Sequence, residues 1–394
     1  MKKIDPKVDE AIETLNMKDS PTRRRLLEGA GLLSVSAAAS ALLTACGSSS
    51  PTSAATKGTI GNFPKTPAWQ FWFVNHVTTN LFFVPTQFGM KDAAALLGLP
   101  APKWGGSANS APSDMVSYLK TAIAAKASGI ATTVINSAPN DTTFQVPVKQ
   151  AMDAGIPVVS YNADGPILKG VVTPGTNRLC YVGQALYLSG QQMGERIKSL
   201  ASKPGPVVIF IATPGSANLQ PRYDGAASVL TPAGFTVHLQ ATGASTSQEG
   251  TAEKGYLVGN KSGLVAAAAV DAGSTELLGP SLAGVGLTGK IPAGGFDLTP
   301  GTLTAIQGGQ LDFTINQDPY LQGFLPVLYL YMYNLTGGLV IPPDTDTGLT
   351  FITKSSVGPY LQSKTTYEGS TGATKPTLVQ RTGPIQNSIA TVST

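Results

Sequence analysis

Cysteine and histidine are almost missing from these 394 residues: Cys46 and Cys180 are the only thiols, His76 and His238 the only imidazoles. That leaves little room for a metal centre built from His and Cys, or for imidazole-based acid–base catalysis. Charge is scarce as well, at 13% Asp, Glu, Lys and Arg, and beyond the N-terminal segment the net +4 gathers into no basic run. Nucleic acid would therefore meet no electrostatic footprint. No G-x-G-x-x-G follows the first expected strand, and Asn260 interrupts the stretch Gly259-Asn260-Lys261-Ser262 where a phosphate loop would need its pattern kept. Neither a metal nor a cofactor is expected.

What is present begins with an ordered set of targeting features. Arg23-Arg24-Arg25 precedes an apolar run, Gly29 to Ala45, that is short for a membrane span and rich in Ala, Ser and Gly. Basic patch, short apolar segment and small residues are the three parts of a secretory signal, so residues 1–45 are expected to be removed. Thr22-Arg23-Arg24 resembles the twin-arginine signal. Leu43-Thr44-Ala45-Cys46 resembles the lipobox of bacterial lipoproteins, in which Cys46 would be the first mature residue and carry the lipid. A membrane contact through that lipid is the implied partner surface. With Cys46 lipidated, Cys180 is left alone and reads as a small buried apolar residue.

Residues 46–65 are rich in Ser, Thr, Gly and Pro and read as a flexible tether. The roughly 350 residues after the signal exceed what one core usually serves, so two domains are expected. Short apolar runs then alternate with helical stretches. Strands are expected at 70–75, 130–136 and 156–161, with helices at 81–97, 113–128 (Ser113 and Asp114 as its cap) and 142–154. The alternation restarts with helices at 184–200, 222–231, 251–263, 300–308 and 320–336. Strands between them are expected at 206–212, 235–240, 264–270, 289–296 and 313–316. This β-α-β order predicts an α/β fold with parallel, doubly wound sheets. From 361 to 394 the chain is a polar tail.

Open parallel sheets bind ligands at the carboxyl ends of their strands. Those ends here carry Asn75-His76 and Asn80-Leu81-Phe82-Phe83, then Asn136, then Asn162 and Asp164. In the second half they carry Thr213-Pro214-Gly215-Ser216 with Arg222, then Asp271, Phe296-Asp297 and Asn316-Gln317-Asp318. Amides, carboxylates and one arginine can both donate to and accept from vicinal hydroxyls, and aromatic rings cover the apolar face of a sugar. A neutral, hydroxyl-rich ligand fits that inventory. Phe82 and Phe83 are neighbours, so one is expected in the core and the other toward a cleft. Trp104 and His76 are open between core and cleft wall.

Four blocks resemble the sugar-binding proteins of the ribose-binding type, the substrate-binding components of ABC importers. They are Asn80-Leu81-Phe82-Phe83, the run from Gly155 to Ser160, Gly294-Gly295-Phe296-Asp297, and the run from Thr314 to Gly323. The resemblance covers about 68–360. It implies two Rossmann-like lobes joined by a three-strand hinge, the type I periplasmic binding protein fold. The expected lobes are 66–183 plus 318–344 and 184–317 plus 345–360, with crossovers near Gly183, Gln317 and Asp344–Thr347. Carried over by position, its ligand contacts fall on Asn80, Phe82, Phe83, Asn136, Arg222, Asp271, Phe296, Asp297 and Gln317. Where the family often has Asp-Arg this chain has Asn162-Ala163, and where it often has Asn the chain has Asp271, changes that point away from ribose. The resemblance implies a monomeric, exported lipoprotein that performs no chemistry, binds a sugar or polyol and delivers it to an ABC permease. The alternatives are a sensory binding lipoprotein that signals to a membrane receptor, and an exported α/β enzyme.

Overall fold

The computed structural model describes residues 64–136, 141–165, 167–168, 171–172, 176 and 178–362. The expected signal, Cys46, nearly all of the tether and the tail beyond 362 lie outside these residues. The first sheet has six strands in the order β13-β7-β4-β3-β1-β2. In chain order these are β1 (Phe71–Asn75), β2 (Lys103–Gly106), β3 (Gly129–Val134), β4 (Val158–Asp164), β7 (Tyr181–Gly183) and β13 (Thr345–Asp346). All its pairings are parallel. A two-strand ribbon, β5 (Ile167–Leu168) with β6 (Val171–Val172), stands apart.

The second sheet has six strands in the order β14-β12-β11-β10-β8-β9. They are β8 (Pro206–Ile211), β9 (Thr236–Ala241), β10 (Ala266–Ala269), β11 (Ala293–Phe296), β12 (Phe313–Asn316) and β14 (Thr350–Ile352). Only β14 runs antiparallel, against β12. Inner strands such as β3, β4 and β10 are buried along their whole length, and β10, four alanines, reads as a continuous small apolar run. The edge strand β9 is largely exposed and carries His238 and Gln240.

Helices cover the sheets as right-handed crossovers require. In the first half they are α1 (Val84–Leu96), α2 (Pro112–Ala124) and α3 (Gln145–Asp153). In the second they are α4 (Leu186–Leu200), α5 (Gln220–Leu230), α6 (Thr246–Asn260), α7 (Ala272–Gly284) and α8 (Pro300–Gly308), followed by α9 (Pro319–Leu335) and α10 (Gly358–Gln362). The chain passes from one sheet to the other after Gly183, after Asn316 and after Asp346. β13 pairs with β7, so residues 345–346 sit in the first sheet rather than the second. Helix α4 lies backbone to backbone on α5: a Cβ on Gly190 would strike the carbonyl of Arg222, and one on Gly225 that of Tyr187. That contact seats the helix bearing Arg222.

Helices α2 and α7 depart from expectation for identifiable reasons. Helix α2 starts at Pro112, with Ser113 and Asp114 inside its first turn rather than capping it. Ser107 holds the entry instead, its Oγ accepting from the Ala111 N–H and donating to Asp114. Helix α7 was not expected, because Gly273, Gly279, Pro280 and Gly284 carry poor helix propensity. It is held by Asp271, whose carboxylate accepts from the Ser274 N–H at 2.9 Å, and by the buried Leu278 and Leu282. Cys180 is buried, and burial pushes its thiol up to about 12.

Glu253 on α6 is fully buried against α7, accepting from Ser281 Oγ at 2.9 Å through one oxygen while the other has no partner. Burial, with the nearby Asp271 and Glu249 carboxylates adding to it, pushes Glu253 up to about 9 from its ordinary 4.5. The folded chain thus keeps a proton that the unfolded chain gives up. Stability from this group is fully present below 4.5 and is lost as the pH rises toward 9. Urea midpoints are expected to fall between about pH 5 and pH 9, and Glu253→Gln to flatten that fall. An equally steep decline in the variant would assign it to other groups.

Candidate functional site

The carboxyl ends of the two sheets face each other across a cleft of about 350 Å³. On the first-lobe wall, the Asn80 side chain accepts from the Phe82 N–H at 2.9 Å and so starts a short 3-10 turn at Leu81–Phe83. That turn brings both phenylalanines inward. They meet edge to face at 4.7 Å, both are buried, and both line the cleft. Trp104 stands behind Phe83, 6.1 Å away, and outside the lining.

Asn136 follows β3 and donates through Nδ2 to the Asp141 carbonyl at 2.9 Å, leaving its Oδ1 buried without a partner. Asn162 lies within β4 at φ 60, beside a register shift in the β3–β4 pairing. Its Nδ2 donates to Gln322 Oε1 at 3.0 Å, and its Oδ1 too is buried and unpartnered.

The opposite wall centres on Arg222. The side chain is buried, with Nη1 donating to the Val270 carbonyl at 2.9 Å and Nη2 to Gln184 Oε1 at 3.2 Å. Its guanidinium sits 4.2 Å over the Phe296 ring, and its Nε has no partner. Burial holds this guanidinium below the usual arginine value, against the pull of Asp297 and Asp271. Asp297 adopts φ 77 and accepts from Gln317 Nε2 at 2.6 Å. Burial pushes its carboxyl up to about 6, with Arg222 and Gln317 limiting the rise. Asp271 has both oxygens engaged, one by the Ser274 N–H and one by the Ala212 N–H, each at 2.9 Å. Its first duty is to cap α7.

Of the residues singled out from sequence, the cleft gathers Asn80, Phe82, Phe83, Asn136, Asn162, Arg222, Asp271, Asp297 and Gln317. It does not gather Phe296 or Asp164. Phe296 is fully buried in the second-lobe core and serves as the platform beneath Arg222. Asp164 is buried against Arg178, accepting from its Nε at 3.2 Å. Two residues apart on a regular strand, Asn162 and Asp164 would share a face. The left-handed turn at Asn162 breaks that alternation.

Glu249 lines the cleft and was missed, because the expected start of α6 fell past it. Burial and the neighbouring Asp271 raise its carboxyl. At the rim, His76 makes a cross-lobe contact. Its Nδ1 lies 3.2 Å from Thr133 Oγ1 and its Nε2 lies 3.5 Å from Asn218 Nδ2 of the second lobe. Burial lowers its imidazole to about 4, so the ring is neutral at ordinary pH. Beside it, the Ala217 N–H donates to the Ile135 carbonyl at 3.3 Å.

Among the described residues, no group of three or more His, Cys, Asp or Glu is placed to hold a metal. The cleft instead offers unsatisfied acceptors and an aromatic pair on one wall and a charged donor on the other, which suits a ring bearing hydroxyls.

A family model described as a periplasmic binding protein domain matches residues 71–337. The chain is 46% identical over 326 residues, 80% of its own length and 79% of the relative's, to the xylose/arabinose-binding protein XylF of Sulfolobus acidocaldarius. The chain belongs to the periplasmic binding protein family. Its fold is shared with a solute-binding protein from Burkholderia graminis solved with D-arabinose (TM-score 0.66, 24% identity, 76% of this chain and 100% of that one). It is also shared with GanP, a glucose-galactose binding protein from Geobacillus stearothermophilus (TM-score 0.66, 23% identity, 74% and 100%). The chain is a binding protein, of a family that works outside the cytoplasm.

If Arg222 meets the sugar, truncating it removes a buried charged donor. Arg222→Ala is then expected to weaken binding by about 2–4 kcal/mol in calorimetry while the protein still folds. Unchanged affinity would confine Arg222 to a packing role.

Proposed function

We propose that the cleft captures a neutral pentose of the xylose or arabinose kind and that the protein, a monomer, hands it to an ABC permease without chemistry. The observation that carries this reading is the division of the polar groups between two walls. Asn136 and Asn162 offer unpartnered acceptors on one side, and Arg222 offers an unpartnered N–H on the other. Neither wall alone encloses a sugar, so binding draws the lobes together. The relative named for xylose and arabinose is 46% identical over most of the chain, which supports a pentose. Asn162-Ala163 and Asp271 speak against ribose.

The lobes of this reading are residues 66–183 with 318–346 and residues 184–317 with 347–360, the third boundary moved past β13 because that strand pairs in the first sheet, and they close about the three crossovers. Asn80, Phe82, Phe83, Asn136 and Asn162 meet the ligand from the first, Arg222, Asp271 and Asp297 from the second, and Gln317 from the crossover between them. We further infer that residues 1–45 are an export signal and that Cys46 anchors the mature protein through a lipid.

A thermal-shift panel of aldopentoses, hexoses and polyols tests the ligand, since binding to the folded state alone raises the melting point by mass action. Xylose or arabinose is expected to give the largest shift. A larger shift from a hexose or polyol removes the pentose assignment. At saturating sugar the radius of gyration in solution scattering is expected to fall, because a ligand moves the open–closed balance only through contacts it makes better in one form. An unchanged scattering profile argues for a rigid pocket.

The anchor has its own test. Cys46→Ser is expected to move the protein from the membrane fraction to the soluble one, and retention after a carbonate wash would refute the lipid.

A further inference from the structure

Gln322 is fully buried at the start of α9, behind the cleft and outside its lining. It stands in a chain of side-chain amides that crosses the cleft floor from one lobe to the other. At the second-lobe end, the Asp297 carboxylate accepts from Gln317 Nε2. Gln317 therefore turns its Oε1 toward Gln322, whose Nε2 donates to it at 3.1 Å. Gln322 Nε2 also lies 3.2 Å from the Gln317 backbone carbonyl, a group that can only accept. Thr347 adds a third constraint: its hydroxyl donates to that same carbonyl at 2.7 Å, so toward Gln322 Nε2, 3.3 Å away, its oxygen acts as acceptor. The amide of Gln322 thus has one permitted sense, and its Oε1 points at Asn162. Facing an acceptor, Asn162 must present Nδ2, which it does at 3.0 Å. That leaves Asn162 Oδ1, buried and unpartnered, as the group available to a ligand.

We propose that Gln322 is a positioning residue that sets sugar selectivity at Asn162. By holding the Asn162 amide in one sense, it makes that position accept a hydroxyl donor and refuse an acceptor. The sugar taken must keep a free hydroxyl there, and deoxy, O-alkylated or keto forms at that carbon are rejected. An untethered asparagine could turn its amide over and serve either kind of group. The inference rests on the reading of Asn162 as a ligand contact, and it concerns a residue the ligand does not touch.

The test compares calorimetric affinities for the tightest-binding sugar of the panel and for its monodeoxyfluoro derivatives, one at each hydroxyl. Fluorine replaces hydroxyl at similar size but donates no hydrogen bond. In the unaltered protein one position is expected to lose roughly ten- to hundredfold in affinity, because a buried acceptor is left unsatisfied. Gln322→Met keeps the side chain's length but offers Asn162 no strong acceptor, and the loss at that position is expected to shrink to within about threefold. Gln322→Glu offers Asn162 an acceptor in either protonation state, so it is expected to retain the full discrimination. Thermal unfolding checks that each variant folds, and Gln322→Leu stands in if Gln322→Met does not.

The proposal is overturned if the Met or Leu variant discriminates as the unaltered protein does, or if the Glu variant loses discrimination as Met does. A hexose or polyol emerging as the tightest ligand would defeat the pentose reading, while the derivatives of that ligand would still decide the role of Gln322.

Discussion

A guanidinium removed from water in the middle of a protein has to be answered from several elements at once, and much of this molecule is arranged around Arg222. Its partners are the Val270 carbonyl just after β10, the Gln184 side chain at the first crossover and the ring of Phe296 at the end of β11. Gln184 in turn donates to the Gly348 carbonyl at 3.1 Å, which ties the first crossover to the third. The backbone of Arg222 itself is fixed by the approach of Gly190 on α4. Each of these groups is explained by the need to keep one buried cation supported while leaving part of it turned to the cleft.

The second crossover is bound into the same floor. Gln317 links to Asp297 on one side and to Gln322 on the other, and Thr347 holds the Gln317 carbonyl. Groups that line the cleft from the two lobes are thus joined through side chains at and beside the crossovers. A hinge strand in such a protein has two duties: it must bend, and it must keep the polar groups of both walls in register. Buried amides suit both, since each donates and accepts within one planar group and can follow small shifts of the backbone.

The sequence made the repeating β-α plan legible because inner parallel strands are buried on both faces and stand out as apolar runs. Short strands that pair only through tertiary context carried no such signal. β2 is Lys-Trp-Gly-Gly, and β7, β13 and β14 are each three residues or fewer. Helix α7 hid for a different reason, its glycines and proline being tolerated only because Asp271 caps it and leucines bury it. Most of the cleft was legible because strand ends are where ligands sit in open parallel sheets. Asp164 and Phe296 were misplaced by residue-level geometry that spacing does not encode, a left-handed Asn162 in one case and a cation seated on a ring in the other. His76, left open between core and cleft wall, lines the cleft. Glu249 was lost because its helix starts earlier than the pattern suggests, and Asn218 depends on how the two lobes meet, which a pattern read one lobe at a time does not contain.

Beside the apolar contact of Ala272 with the first-lobe cluster of Phe82 and Phe83, the walls meet through two weak polar contacts. At the rim the walls touch through an imidazole–amide contact at 3.5 Å and a backbone hydrogen bond at 3.3 Å, both at the long and weak end of the range. Against them stand the buried, unpartnered Asn136 Oδ1, Asn162 Oδ1 and Arg222 Nε, each of which raises the free energy of a closed cleft without a ligand. On the proposed function, these weak contacts and unsatisfied polar groups would keep closure from being favourable on its own. Under the proposed function, a sugar that supplies hydroxyl donors to the two asparagines and an oxygen to the arginine would remove those penalties and add contacts specific to the closed form. On that proposal the atoms that recognise the ligand would also make the closed shape depend on it, and a closed shape that depends on cargo is what would let a permease tell a loaded binding protein from an empty one.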